Sequence, residues 1–469
     1  MATIKKTKYT HRFLARFIVE AKTPLAVGSG EKDIITDALV STDVNGLPYI
    51  PATSIAGVVR SMIGEDAKIF FGQHSKKKEE NRGSEIIFTE AKILDSKGSV
   101  VDGLNMKVMQ DELLKEYKTL PIRQHVRIND KGVTDSAKSG KFDEQVVFAG
   151  TRFCFELEMV SDGSNYEQFE TVLRQFEDRT FRLGRGSRCG FGEIEVVSQQ
   201  TRTLDLCNED DLALYLEKSS NLATVWNGWN DKEIKKSESD SNWVEYKLTL
   251  QPEDFFLFGS GFGDQDADMT PVKSRKVIWE NGTGKLSDQM VLIPATSVKG
   301  ALAHRVAFHW NLINKYFAGN PKARAGKDNE AVRCLFGSEG EKNGKETIGQ
   351  LRGNLLFSDV IQVASVKDKI LNHVAIDRFT GGAMDGALFS EKTTYGKGQV
   401  FEVIILAKSE ALYYKNENNT LVLEAFEKAL LDICKGLLPL GGGVNRGNGV
   451  FTGTLKRGNE VIYSKEGGR

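Results

Sequence analysis

The chain spells IPATS twice, at 50–54 and at 293–297, and the residues flanking the two copies repeat in the same order. Upstream, TPLAVGSG from Thr23 answers to DFFLFGSG from Asp254. Downstream, FFG at Phe70 answers to LFG at Leu335, each followed by a Lys- and Glu-rich stretch and then by IIF or LLF. HVRIND at His125 answers to HVAIDR at His373, and FDEQVVFAGTRFCFEL answers to FSEKTTYGKGQVFEVI. Last, LGRGSRCGFG at Leu183 answers to LGGGVNRGNG at Leu440. One five-residue match is within chance, but several blocks in one order make an internal duplication. The period is near half the chain, far too long for a solenoid of short repeats, so the sequence reads as two tandem copies of one domain.

The 469 residues then divide into a first domain over 1–200, a linker over 201–243 and a second domain over 244–469. The linker is polar, ends in DKEIKKSESDSNW, and has no counterpart in either copy. A short helix is expected inside it around DDLALYLEK. The first copy opens on a strand, RFLARFIVEA with Phe13 and Phe17, and the second on WVEYKLTL, where Val244, Tyr246, Leu248 and Leu250 alternate with polar residues. IPATS leads into a helix in both copies, with Thr53 or Ser54, and Thr296 or Ser297, expected as caps. A second helix follows late in each copy. Phe169, Val172, Leu173 and Phe176 form its apolar face in the first, with Ser164 and Glu167 at capping-box spacing. Leu423, Phe426, Leu430, Ile433 and Leu437 form it in the second. Strand, helix, a central group of strands, helix and strand is the ferredoxin-like (RRM-like) plan, so the fold class is α+β, two tandem copies with inserted hairpins and loops.

Charge excludes one class of partner. Lys and Arg total 63 against 64 Asp and Glu, so the chain is no nonspecific nucleic-acid coat, and any such binding needs a local groove. Five scattered cysteines without CxxC suggest neither a disulfide framework nor a zinc site. The basic N-terminal stretch lacks an apolar signal-peptide core, and no run approaches the roughly 20 apolar residues of a membrane span. A soluble cytoplasmic protein is the expectation.

The GSG loops carry the sharpest candidates. Three residues after the second glycine, Gly30 or Gly261, stand Asp33 and Asp264; seven residues after it stand Asp37 and Asp268. GSGEKDIITD and GSGFGDQDAD share little else after the glycines, yet both aspartates keep their places. A loop carboxylate can bind a divalent ion, act as a base, or simply build an Asx turn. The late glycine loops follow helices rather than strands, so they are not dinucleotide fingerprints. Their backbone N–H groups can cradle phosphate, with Arg182, Arg185 and Arg188 around the first and Arg446 in the second. A tight helix-to-strand connection accounts for the glycines equally well. No histidine pair has metal-ligand spacing, so His125 and His373 read as structural. The Lys-rich stretches GQHSKKKEENRG and EGEKNGKETIG read as solvated loops.

These motifs in this order resemble the RAMP superfamily of CRISPR-associated proteins, and among them the backbone subunits of type III effector complexes. The resemblance rests on the GSG loop with its aspartate, on LPYIPATS before a helix, on HVAIDRFTGGAMDGALFSEKTTYGKGQVFEV as a central hairpin, and on the late glycine loop. It spans nearly all of both copies and leaves out the linker. A chain with two such units looks like the fused double-backbone subunit of type III-D-like complexes.

The resemblance implies a subunit that binds guide RNA (crRNA) and cleaves paired single-stranded target RNA beside a loop aspartate, once per domain. Asp37, followed by Asp43 ahead of LPYIP, fits the family aspartate in the first copy, and Asp268 in ADMTPV fits it in the second. Asp33, Asp264 and Asp266 are the competing candidates. The stretch from Asp268 to Ile293 is 12 residues longer than that from Asp37 to Ile50, around WENGTGKLSDQM, which raises the expectation of a displaced second helix. The hairpin's place in the first copy is held by the more degenerate HVRINDKGVTDSAKSG. Implied RNA contacts are Gly28, Gly30, Ser54, Arg60, Gly184, Arg185, Gly186, Arg188, Gly259, Gly261, Ser297, Lys299, Gly441, Gly442, Gly443 and Arg446. Mg²⁺ or Mn²⁺ on Asp37 and Asp268 is the implied cofactor. Further backbone subunits and a large polymerase-like subunit are the implied protein partners. The competing readings are a non-catalytic guide-RNA scaffold and a stand-alone guide-processing ribonuclease. The latter's usual histidine near the first helix is missing from IPATSIAGVVRS.

Overall fold

Strand β1 (His11–Ala21) has Phe13, Ala15, Phe17 and Val19 buried on one face, a period-two pattern that commits that face to a core. In the computed structural model, which describes residues 9–33, 36–73, 81–129, 134, 140–234, 242–343 and 346–465, two helices cover this face. They are α1 (Ala52–Ile63), which buries Ile55 and Val59, and α2 (Tyr166–Glu177), which buries Phe169, Val172, Leu173 and Phe176. Phe17 stacks on Phe155 at 5.1 Å between ring centres and lies 4.7 Å from Phe176, so strand and helix meet through aromatic rings. Burying each such phenylalanine contributes about 2–3 kcal/mol.

The first unit's sheet is completed by β2 (Ile86–Phe88), β3 (Arg152–Ser161) and β4 (Ile194–Asp205), in the order β2–β3–β1–β4 with all pairs antiparallel. The second unit repeats it. Its strands β5 (Trp243–Pro252), β6 (Leu355–Phe357), β7 (Phe401–Lys408) and β8 (Phe451–Arg457) take the order β6–β7–β5–β8, again antiparallel. Tyr246, Leu248 and Leu250 of β5 face α3 (Ala295–Ile313) and α4 (Val422–Cys434) in one core. The α+β class therefore holds in both units.

Several local expectations are corrected. Both helices after IPATS start two or three residues earlier than expected, with Pro51 and Pro294 as N-caps and no side-chain cap, so Thr53, Ser54, Thr296 and Ser297 lie within the first turn. Proline has no N–H and its fixed φ suits a helix entry. Asn165 caps α2, again without a side-chain bond, while the Ser164 hydroxyl turns back to Asp162. Leu437 lies past the end of α4 and is exposed; Ala425 and Ala429 complete the buried face instead. Glu341–Asn343 pairs with Glu346–Ile348 where a solvated loop was expected. Residues 74–80 of the other Lys-rich stretch lie outside the described residues.

The segment after β4 packs on the first unit. Asn208 caps a helix over Glu209–Leu216 by accepting from the N–H groups of Asp210 and Asp211. Trp226 closes a small cluster with Leu14 and Leu204 on the sheet face opposite the main core. Asn230–Asp231 then adds to the sheet beside β4.

Candidate functional site

In each unit the GSG loop closes by the same backbone bonds. The N–H of Ser29 donates to Leu39 O at 3.0 Å, and that of Ser260 to Thr270 O at 2.8 Å. Asp33 N–H donates to Thr36 O at 2.9 Å, and Asp264 N–H to Ala267 O at 2.8 Å. This framework matches Asp33 with Asp264 and Asp37 with Asp268 by geometry. The 12 additional residues lie beyond it and leave it undisturbed.

The loop aspartates are then held by a hairpin that the sequence places more than a hundred residues away. In the first unit the hairpin pairs Ile122–Val126 with Lys141–Gln145; in the second it pairs Lys367–His373 with Phe389–Tyr395. Asp37 N–H donates to Asp143 Oδ1 at 2.9 Å, and Asp143 N–H returns a bond to Asp37 Oδ2 at 3.1 Å. Asp268 N–H donates to the Ser390 hydroxyl at 3.1 Å, and Ser390 N–H returns a bond to Asp268 Oδ2 at 2.7 Å. The Ser390 hydroxyl also lies 2.9 Å from Asp268 Oδ2. These bonds from Ser390 hold the Asp268 carboxyl below the usual carboxylate range. Both aspartates are exposed, and Oδ1 of neither takes a donor from the described residues.

Beside this contact each hairpin repeats a second arrangement. His125 stacks on Phe142 at 5.0 Å, and His373 on Phe389 at 4.9 Å. His125 Nε2 is 2.9 Å from Glu144 Oε1, and His373 Nε2 is 3.2 Å from Glu391 Oε1, off line for straight hydrogen bonds but within charge contact. Arg185 of the first glycine loop pairs with Glu144 at 2.7 Å, and Arg446 of the second pairs with Glu391. Burial pushes the Glu144 carboxyl up, but the contacts from His125 and Arg185 outweigh it and hold it below its ordinary range.

Two units with one loop, one hairpin and one glycine turn apiece recur over the stretches that a family model, described as the RAMP superfamily, matches: residues 18–195 and 229–452. The chain belongs to the RAMP superfamily. The two matched regions support a CRISPR-associated RAMP protein with its units in tandem, and through the family an RNA-binding subunit. A search of curated proteins finds no match. Among the described residues of this RAMP protein, no helix is long and apolar enough to cross a membrane.

The other candidates divide by where the RAMP fold puts them. Asp264 organises its own turn, accepting from the N–H groups of Asp266 and Ala267 at 2.9 Å and pairing with Lys392, whose bond draws its carboxyl down. Asp266 lies 3.5 Å from the same Lys392. Asp43 likewise builds a turn, its Oδ1 accepting from Asn45 and Leu47. Arg182 is buried against Glu193 at 3.3 Å and is structural. Arg188 departs from the expectation for Arg185: it donates to Gly353 O of the second unit, and burial, with Arg352 nearby, pushes it down to about 10. Lys299 also faces the seam between the units, 3.7 Å from Cys189 of the first glycine loop. Arg60 is exposed at the end of α1, beside a polar cleft of about 400 Å³ lined by Gln73, Asn81 and Arg82, which shares no residue with the Asp37 contacts.

The glycines are needed where backbone meets backbone. A Cβ at Gly184 would stand 2.6 Å from Ala26 O, and one at Gly441 would stand 2.5 Å from Leu257 O. Gly28, Gly30 and Gly259 meet nothing closer than 3.7 Å, which leaves their loops open to a ligand backbone. Gly186 is closed by Phe191, Gly443 by Asn448, and Gly261 by Gln124 of the first hairpin; Gly442 packs loosely on Leu257. The sequence reading did not single out Asp143, Ser390, Glu144 or Glu391. The signal was present in FDEQ and FSEK, which occupy one place in the repeat.

Proposed function

We propose that this RAMP protein is a backbone subunit of a type III CRISPR effector complex, each unit ferredoxin-like, that holds guide RNA and cleaves paired target RNA at two points. The observation that supports it is the aspartate held at the same place in both units, Asp37 by Asp143 and Asp268 by Ser390, with one carboxylate oxygen of each taking no donor among the described residues. The reading includes the fused double-backbone subunit of type III-D-like complexes, further backbone subunits and a polymerase-like subunit as partners, and a cytoplasmic setting.

RNA carries its own nucleophile, the 2′-OH, so cleavage needs the strand bent until that oxygen lies in line with the leaving 5′-oxygen. The exposed hairpin residues Phe379, Met384 and Leu388 suit the role of wedge between bases. Arg185 and Arg446, beside glycine turns, suit guide phosphates. Sequence would be read by base pairing. Mg²⁺ or Mn²⁺, when bound, would offset charge developing on the phosphate. Asp37 and Asp268 each offer such an ion one oxygen. Among the described residues no group of three or more His, Cys, Asp or Glu is built for a metal. The remaining ligands would thus be water and phosphate, as Mg²⁺ accepts.

The scaffold reading draws on the same bonds, since an aspartate tied to a hairpin also stiffens a loop. End-labelled RNA paired to a guide, with Mg²⁺ and with chelator as control, separates the two. Asp37→Ala is expected to slow one cut about a hundredfold and spare the other, and Asp268→Ala the reverse. Unchanged products in both variants would leave the scaffold reading standing. Asp264→Ala or Asp266→Ala abolishing the second cut, with Asp268→Ala retaining it, would move the assignment.

A further inference from the structure

We infer that Glu144 and Glu391 are positioning residues for the two loop aspartates, each tying the glycine loop to the hairpin strand that holds the aspartate; this rests on the cleavage reading above. Glu391 is fully buried, and Glu144 nearly so. A carboxylate in such a place is costly unless several donors meet it. Glu391 has two, Arg446 and Asn448 Nδ2 at 3.1 Å, with His373 Nε2 3.2 Å away. Glu144 has Arg185 at 2.7 Å, with His125 Nε2 2.9 Å away.

The arginines reach the two carboxylates from different places. Leu183 N–H bonds Gly192 O and Leu440 N–H bonds Gly449 O, which sets the two glycine loops in one frame. In that frame Arg185 coincides with Gly442, since both donate backbone N–H, to Ala26 O and Leu257 O. Arg446 coincides with Cys189 instead. The arginine has moved along the loop and still ends on the same glutamate. The two copies therefore share the buried charge contact, whereas the position of the donor differs.

Its location says what the contact does. Glu144 directly follows Asp143, and Glu391 directly follows Ser390, the residues whose N–H groups bond the aspartates. Neighbouring strand residues face opposite sides, so the glutamate grips the core side while its neighbour presents its N–H to the aspartate. A strand that slides at Glu391 carries the Ser390 N–H away from Asp268 Oδ2. Among the described residues the carboxylate of the exposed Asp268 is bonded through Ser390, by its N–H and its hydroxyl.

The test uses the full chain, a synthetic guide RNA and an end-labelled complementary RNA with Mg²⁺, reading both cuts at once. Glu391→Ala is expected to lower kcat for the second cut at least tenfold with KM within twofold, and to leave the first cut unchanged. Glu144→Ala should do the converse. Adding Glu391→Ala to Asp268→Ala should slow the second cut no further, because the glutamate acts through the aspartate. If an alanine chain does not fold, Glu391→Gln, which keeps the shape and removes the charge, should still cost the second cut threefold or more in kcat. Equal loss of both cuts, a raised KM at unchanged kcat, or a glutamine variant with wild-type kcat would overturn the inference. Asp268→Ala without effect on the second cut would instead overturn the cleavage reading.

Discussion

The two units agree at the aspartate and differ at the seam where they meet. Each has a glycine shortly before the matching strand, Gly150 before β3 at φ 80° and Gly398 before β7 at φ 81°. A Cβ at Gly150 would stand 2.0 Å from Val277 O, whereas Gly398 has nothing within 4 Å. Likewise a Cβ at Gly190 would meet Asp359 Oδ1 at 2.4 Å and Ala295 Cβ at 2.6 Å, while Gly447 stands in open space. The first unit's surfaces are filled by the second unit, and the second unit's own are bare. What fills the surface at Gly150 is the additional stretch after Asp268. It forms a hairpin, Val277–Glu280 with Thr283–Leu286, turning at Asn281–Gly282 with positive φ at both residues.

That hairpin reaches away from its own unit. Val277 and Leu286 join the first unit's core, Val277 N–H donates to Ala149 O at 2.8 Å, and Trp279 Nε1 donates to Gly150 O at 2.8 Å under the Arg152 guanidinium. The first unit meets it with a stretch of its own, where Ser96 O accepts from Gly284 N–H and Glu116 pairs with Arg275. A buried ion pair, Arg123 with Asp359 at 2.9 Å, closes the other side of the seam. The additional stretch is thus spent where the units join, and the backbone frame of the loop that carries the aspartate is kept.

Glycine tests this difference most severely. Gly150→Ala combines a positive φ with a clash against backbone and should destabilise the chain by roughly 3 kcal/mol or more. Gly398→Ala has the same φ and open space, and should cost only about 1–2 kcal/mol. Thermal melts of the two variants decide it. Equal shifts would mean that the seam adds nothing to the first unit's stability.

The duplication, the strand faces and the loop aspartates were legible because each depends on spacing within a short stretch. Asp268, rather than Asp264 or Asp266, could be matched with Asp37 because the loop from Gly261 keeps its length. The hairpin partners were not legible, since Asp143 and Ser390 meet their aspartates across long stretches of chain. The contact of Arg188 with Gly353 was not legible, because an arginine in a glycine loop looks the same whether it faces a ligand or the other unit. The 12 additional residues looked like a disturbance of the second helix. Asn281–Gly282 between alternating residues was the sign of an independent hairpin.

The arginines sharpen the comparison next. Arg185 lies half-exposed on Glu144, and Arg188 is committed to the seam. Arg185→Ala should weaken guide-RNA binding and reduce the slope of log affinity against log salt by up to about 0.9, the share of one phosphate contact. Arg188→Ala should lower the melting temperature and leave that slope unchanged. A salt series on both variants reads this directly, and a flattened slope for Arg188→Ala would show that the residue leaves Gly353 to meet RNA.

The smallest expected difference lies inside the site itself. The first unit places a second carboxylate, Asp143, against its loop aspartate, where the second unit has the hydroxyl of Ser390. In the second unit Asp264 and Asp266 pair with the ammonium of Lys392, whose place in the first hairpin is taken by neutral Gln145. A divalent cation at the first site therefore meets one more hairpin carboxylate, Asp143, beside the loop aspartate. At a few ångströms in water such a charge is worth about a fivefold change in affinity. Under the cleavage reading, the first cut should reach half its maximal rate at about fivefold lower Mg²⁺ than the second. Asp143→Ser should raise the first midpoint toward the second, and Ser390→Asp should lower the second toward the first. Titrating Mg²⁺ while following both products from one RNA keeps all else equal. Coincident midpoints in the parent chain would mean that the hairpin residue holds the aspartate without contributing its charge to the ion.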